Sequence, residues 1–182
     1  MTADFPMAAS SAYGYPLLIR QLFESARANA SPNEIVHQGR RLRYAEFFDR
    51  VVRLARALAD LGVRRGDVVA VMDWDSHRYL EAFFAVPMMG AVLQTVNVRL
   101  SPEQIAYTLN DAEAGVLLIH DDFIPILDAI QGRLRTVRHR LSLTDQPDGG
   151  RPGAAAEYEA LLSRTEPDFE FPELDEQARA TT

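Results

Sequence analysis

No cysteine and no lysine occur among the 182 residues. The first absence excludes disulfides, thiolate-ligated zinc and any thiol nucleophile, and points to a reducing cytoplasm as the compartment. The second excludes Schiff-base chemistry and a phosphate loop of the G-x-x-x-x-G-K type within this chain, because both require an amine. All 19 basic residues are therefore arginine. Long apolar runs are missing too. The longest, Ala82–Leu93, has 12 residues and is interrupted by Pro87 and Gly90, whereas a membrane-spanning helix needs about 20. Asp4 and the lack of an early positive charge argue against a secretory signal. A soluble, cytoplasmic protein without a transmembrane segment is expected.

What is present suits a compact domain. The chain is 47% hydrophobic with a net charge of −7, enough apolar content for a core and too little charge for disorder. Four short apolar runs recur: VVAVM from 68, AVLQTV from 91, GVLLI from 115 and TVRHRLSL from 136. Segments with helical spacing separate the first three, which predicts consecutive β-α-β units. A near-continuous apolar strand such as VVAVM belongs in a parallel sheet covered on both faces. The expected fold class is α/β, a largely parallel sheet with helical crossovers.

The helices have individual signals. From Arg50 to Leu61, Val51, Leu54, Ala55, Leu58 and Leu61 recur at steps of three and four, with Arg50, Arg53, Arg56 and Asp60 assigned to the solvent face and Gly62 as the stop. Ser101, Pro102 and Gln104 combine a cap, a proline at the first helical position and a glutamine three residues after the cap. EIVHQGRRLRY reads as a hairpin turning at Gln38 and Gly39. AAAEYEALL is a short helix candidate between a Gly/Pro-rich loop, DQPDGGRPG, and EPDFEFPELDEQ, which carries six acids and no base.

The stretch DWDSHRYLEAFF, 73 to 84, poses the main functional question. Asp73, Asp75 and His77 could bind metal or transfer protons, since ligands of open α/β sheets sit beyond the carboxyl ends of strands. Alternate residues of a turn do not converge unaided, however. With Leu80, Phe83, Phe84 and Met88 marking one face of the following helix, Asp75 or Ser76 stands where a cap is needed. Capping is the expected role. Trp74, the one tryptophan, is expected to wedge under this loop. His37, His120 and His139 lack ligand spacing. RLRTVRHR, 133 to 140, carries four arginines but no stacking aromatics in an acidic chain, so a polar edge strand is expected there and nucleic acid is not.

An ordered series of residues resembles a known family. LRYAEFFDRVVRLARALADLGVRRGDVVAVM followed by FFAVPMMGAVLQTVNVRLSPEQIAYTLNDAEAGVLLI is similar to the N-terminal part of the adenylate-forming (AMP-binding) acyl-CoA synthetases, medium- and long-chain fatty-acid branch. Leu42, Tyr44, Glu46 and Phe47 match the first family motif, Gly90 and Ala91 the second, and Asn97, Arg99, Leu100, Pro102, Glu103, Ile105, Tyr107 and Leu109 the loop and helix that follow. Arg43 stands where threonine or serine is usual, and Val98 where proline is. The resemblance covers about residues 17 to 182, each piece being weak and their order strong.

What it implies is an ATP-dependent fatty acyl-CoA ligase, with ATP, Mg²⁺ and coenzyme A used by the complete enzyme, a fatty acid as substrate, and homodimerisation through the N-terminal domain. The expected organisation is an arm at 1–16, the first α/β layer of the large N-terminal domain at 17–143, and a loop, short helix and acidic tail at 144–182. The family's Thr/Ser/Gly-rich phosphate loop ending in Pro-Lys normally starts within a few residues of a segment like DEQARATT. The chain is thus expected to be the front of a longer enzyme, inactive by itself, with no catalytic, cofactor-binding or metal residue. Asn97 and Arg99 remain open between ligand approach and loop fixing, the latter being usual for polar loop residues. Two other readings stay in view: a phospho-receiver using Asp73, disfavoured by the missing lysine and acidic pair, and a non-catalytic assembly or dimerisation module that uses the arm.

Overall fold

The computed structural model describes residues 16–29, 32–144 and 156–182, so the arm expected at 1–16 lies almost wholly outside the described residues, as does the Gly/Pro-rich loop. Helix α1 (Ile19–Ala28) opens the chain and is followed by the antiparallel hairpin of β1 (Glu34–His37) and β2 (Arg40–Arg43). Its turn falls at Gln38 and Gly39 with φ of 45° and 85°. Positive φ at both central residues matches the twist of paired strands, which is why glycine serves there. Helix α2 (Tyr44–Asp60) then begins directly, six residues before the segment whose periodicity announced it.

The rest is a wound sheet. Strand β3 (Val68–Met72), α3 (His77–Met88), β4 (Val92–Thr95), α4 (Pro102–Asp111), β5 (Ala114–His120), α5 (Ile124–Ile130), β6 (His139–Leu143), β7 (Ala156–Glu157) and α6 (Tyr158–Arg164) follow in order. The sheet runs β4-β3-β5-β6-β7, every pair parallel. VVAVM is β3 residue for residue and all five of its side chains are buried. Of the arginine-rich run, Thr136, Val137 and Arg138 stay outside β6 and only His139 and Arg140 enter it, while β7 flanks that strand beyond the run, at Leu141 and Ser142.

Period-two alternation divides the core between two faces. Val69, Val71, Leu93, Val116, Leu118, Leu141 and Leu143 pack under α1, α2, α3 and α6. Val68, Ala70, Met72, Val92, Leu117 and Ile119 face α4 and α5. Helix α4 carries the full capping box: Ser101 Oγ accepts from the Gln104 N–H at 3.3 Å and Gln104 Oε1 from the Ser101 N–H at 3.1 Å, with Pro102 at the first position.

Helix α3 departs from the expectation about its faces. Of the face expected to point inward, Met88 is buried and Phe83 and Phe84 are half-buried against the core, but Leu80 is 37% exposed, and the fully inward stripe is Arg78, Glu81, Ala82, Ala85 and Val86. Two ionisable residues therefore occupy the core side of the helix. The acidic stretch after α6 is also integrated. Phe171 is buried, its ring 6.3 Å from that of Phe23 and 5.2 Å from Phe169. Leu93 of β4 exchanges bonds with Ala180 O (2.9 Å) and the Thr182 N–H (3.1 Å), a parallel bridge that adds the final residues to the sheet edge.

Gly90 closes α3. Its φ is +83°, and a methyl group there would lie 3.1 Å from Leu174 Cδ2 and 3.2 Å from Arg65 Cγ. Left-handed backbone costs a side chain about 1–2 kcal/mol, and the crowding adds to it. Gly90→Ala is expected to lower stability by at least about 1 kcal/mol in urea unfolding, while the exposed Gly132, with open space around it and no positive φ, accepts alanine without loss.

Candidate functional site

The strand order places a switch point between β3 and β5. The chain leaves β3 toward β4 on one side and leaves β5 toward β6 on the other, and the diverging loops open the crevice where ligands of such sheets bind. This crevice is lined by the DWDSH loop and by His120–Phe123.

Most of its polar atoms are committed to the loops themselves. Asp73 accepts from the Trp74 N–H at 2.7 Å through Oδ1 and from the Ser76 hydroxyl through Oδ2. Ser76 is the cap of α3, accepting from the N–H groups of Arg78 at 3.2 Å and Tyr79 at 3.4 Å. The capping role expected of Asp75 or Ser76 thus belongs to Ser76. Asp75 is exposed, with φ of 51°. His77 turns inward, so Asp73, Asp75 and His77 do not meet. Across the crevice, Asp121 Oδ1 accepts from the Ser142 hydroxyl at 2.7 Å, and His120 Nδ1 accepts from the Asp122 N–H at 3.2 Å.

Trp74 is not wedged under the loop. It is 49% exposed, lies over Phe123 with ring centroids 4.8 Å apart, and donates its indole N–H to Asp122 Oδ2 at 2.9 Å. Farther along this edge, Asn97 Oδ1 accepts from the Arg99 N–H at 3.0 Å. Asn97 therefore fixes its own loop, and it lines an open cleft of about 570 Å³ with Gln94, Thr108 and Arg179.

The strongest electrostatics lie inside, between helices. Arg50, assigned above to the solvent face of α2, is instead buried. It donates to Glu81 through Nε at 2.6 Å and Nη2 at 3.2 Å, and to Glu159 through Nη1 at 2.7 Å and Nη2 at 3.0 Å. Tyr158, fully buried, donates to Glu81 Oε2 at 2.5 Å. Arg78 donates to Glu159 Oε1 at 2.9 Å and to Thr144 O at 2.7 Å. A signal for Arg50 existed: Phe47, Arg50, Val51, Leu54, Ala55 and Leu58 form one continuous stripe of period 3.6, so the arginine sits within the apolar face.

Burial by itself would lower the Arg50 pKa, but Glu159 and Glu81 outweigh it and hold the guanidinium even more firmly protonated. Burial would raise that of Glu159, and His77, Arg50 and Arg78 reverse this to well below the usual carboxylate range. Burial pushes the Tyr158 phenol well up, with the charge of Glu81 acting in the same direction. Arg50, Glu159 and Tyr158 are thereby each held in one protonation state at neutral pH. A base or acid in catalysis needs a pKa near the working pH, so this cluster holds structure.

Comparison with known proteins decides what the fold belongs to. The profile of the AMP-binding enzyme family matches residues 22–177. The chain belongs to that family. Among curated AMP-binding relatives, the long-chain-fatty-acid–CoA ligase of Thermus thermophilus is 46% identical over 132 residues, 69% of this chain and 24% of the ligase. The medium-chain-fatty-acid–CoA ligase of Ectopseudomonas oleovorans is 35% identical over 130 residues, covering 70% and 24%. The 3-methylmercaptopropionyl-CoA ligase of Ruegeria lacuscaerulensis is 30% identical over 174 residues, covering 91% and 32%. The chain thus spans about a quarter to a third of the length of these relatives. In solved structures the same fold occurs in an anthranilate CoA ligase bound to anthranoyl-AMP (TM-score 0.82, 21% identity, 91% of this chain and 32% of that one). It occurs again in the N-terminal domain of FACL13 from Mycobacterium tuberculosis (TM-score 0.71, 21% identity, 85% and 37%).

For this member of the AMP-binding enzyme family the buried pair makes two predictions. Glu81 is completely inaccessible, and removing one partner of a buried pair costs about 3–5 kcal/mol. Glu81→Ala is therefore expected to lose that much in urea unfolding, and Arg50→Met/Glu81→Leu markedly less. The second concerns pH. A carboxylate whose folded pKa is depressed stabilises the fold fully above its unfolded pKa, about 4.3, and loses that contribution as pH falls toward the folded value. Acid titration of stability should be flat in this term from pH 7 to about 5 and fall below about 4.3. In Glu159→Gln the fall below that point should be shallower.

Proposed function

We propose that residues 1–182 are the front of an ATP-dependent fatty acyl-CoA ligase that forms an acyl-adenylate and then the coenzyme A thioester. The observation that carries this reading is the 46% identity to the Thermus long-chain-fatty-acid–CoA ligase across 132 residues, with a medium-chain enzyme at 35% beside it. Fatty acid as substrate, ATP, Mg²⁺ and coenzyme A as reactants, a cytoplasmic location and homodimerisation through the N-terminal domain complete the proposal. None of the helices among the described residues is long and apolar enough to cross a membrane.

In this reading the described residues do not hold the triphosphate or its metal. Among the described residues, no three His, Asp or Glu groups are placed to hold a metal ion. On α3, α4 and α6 the N-terminal amides that a phosphate would use are taken by the chain's own caps: Ser76, Ser101, and Glu157 with Glu159 N at 2.8 Å and Ala160 N at 2.6 Å. In this reading the segment is scaffold. It supplies no catalytic, cofactor-binding or metal residue, and no step of the reaction is routed through it.

Two measurements test the proposal. The 182-residue polypeptide is expected to give no fatty-acid-dependent ATP–pyrophosphate exchange above a vector control. A chimera in which residues 22–177 replace the matching part of the Thermus ligase is expected to keep coenzyme A-dependent AMP release within about tenfold, roughly 1.4 kcal/mol in the barrier. Exchange by the isolated chain, or a folded chimera with no ligase activity, rejects the scaffold reading.

A further inference from the structure

One carboxylate in this molecule has more cations around it than any ion pair requires. Glu159 accepts from Arg50 Nη1 and Nη2 (2.7 and 3.0 Å) and from Arg78 Nε (2.9 Å). Arg40 Nη1 stands 3.7 Å away and His77 Nε2 3.6 Å away. These groups come from β2, α2 and the first turn of α3. His37 of β1 faces His77 with ring centroids 5.7 Å apart. Among the described residues Glu81 is the second acid of the cluster, engaged by Arg50 and by the Tyr158 hydroxyl.

His77 strengthens the point. Its side chain is 2% exposed, and among the described residues neither ring nitrogen has a hydrogen-bond partner. A buried imidazole left in that condition at a helix N-terminus, beside three arginines, is an unfilled donor in an anion site. Bidentate arginine and a positive helix end are the usual recognition chemistry for carboxylates and other oxyanions.

We propose that Arg40, Arg50, Arg78 and His77 form an anion receptor whose resident ligand is the chain's own Glu159. The β7–α6 segment is then a latch closed by an internal carboxylate. Its own elements are short, two and seven residues, so much of their seating depends on that ligand. The receptor accepts a free small carboxylate of formate size once the tethered one is withdrawn. This inference is independent of the ligase reading, because every group it uses lies within the described residues.

Thermal unfolding of Glu159→Ala in formate, against chloride at equal ionic strength, is the test. Formate is expected to stabilise the variant saturably, raising the folding equilibrium constant about tenfold at ten times its dissociation constant, with no matching effect of chloride. Adding Arg78→Met should abolish the response. If Glu159→Ala is unfolded in buffer, formate and not chloride should restore the near-ultraviolet signal of Trp74. Equal responses to the two salts, a response that survives Arg78→Met, or stability equal to the parent's would overturn the proposal.

Discussion

The Arg50 guanidinium is the point on which the upper face of the sheet depends. It joins α2 to Glu81 of α3 and to Glu159 of α6, three helices that pack on the same side of the strands. A charged group at that depth is stable only when both of its edges are engaged, and the two carboxylates engage both. The consequence is directional. Apolar contacts let helices slide over a sheet, whereas a guanidinium accepts partners only in its plane, so α6 has one seat. Residues 166–182 follow from that seat, through the aromatic contacts of Phe169 and Phe171 to the bridge at Leu93.

The carboxyl edge of the sheet shows the opposite economy of polar groups. Here the strands end at the surface, and the loops satisfy their own donors: Asp73 with Ser76, Asn97 with its own loop, Ser101 with Gln104. A phosphate site needs amides left unpaired until the ligand arrives. Among the described residues, α3 and α4 present capped N-termini at this edge. Loop self-sufficiency and the lack of lysine agree as physical facts about the same stretch of polypeptide.

Much of the architecture was legible because it rests on local rules. VVAVM announced a strand buried on both faces, Gln38–Gly39 a hairpin turn, and Ser101-Pro102-Glu103-Gln104 a helix start. These are backbone satisfactions within four residues, and tertiary structure seldom overrides them. The reading of faces was weaker. Leu80 was placed inward and Arg50 outward by polarity, and both are reversed, because polarity predicts burial only for groups without partners. Trp74 followed the same pattern: its hydrogen-bond partner, Asp122, is 48 residues distant.

By itself, then, the order of residues determined the strands, the crossovers, most of the caps and the exclusion of cysteine and lysine chemistry, since each depends on near neighbours or on composition. Only the folded chain decided which ionisable groups would be buried together. Arg50, Arg78, Glu81 and Glu159 are up to 109 residues apart, and a charge becomes tolerable in a core only when its counter-charge is delivered there by the fold. That delivery is a property of three-dimensional proximity, and no periodicity within a single helix encodes it.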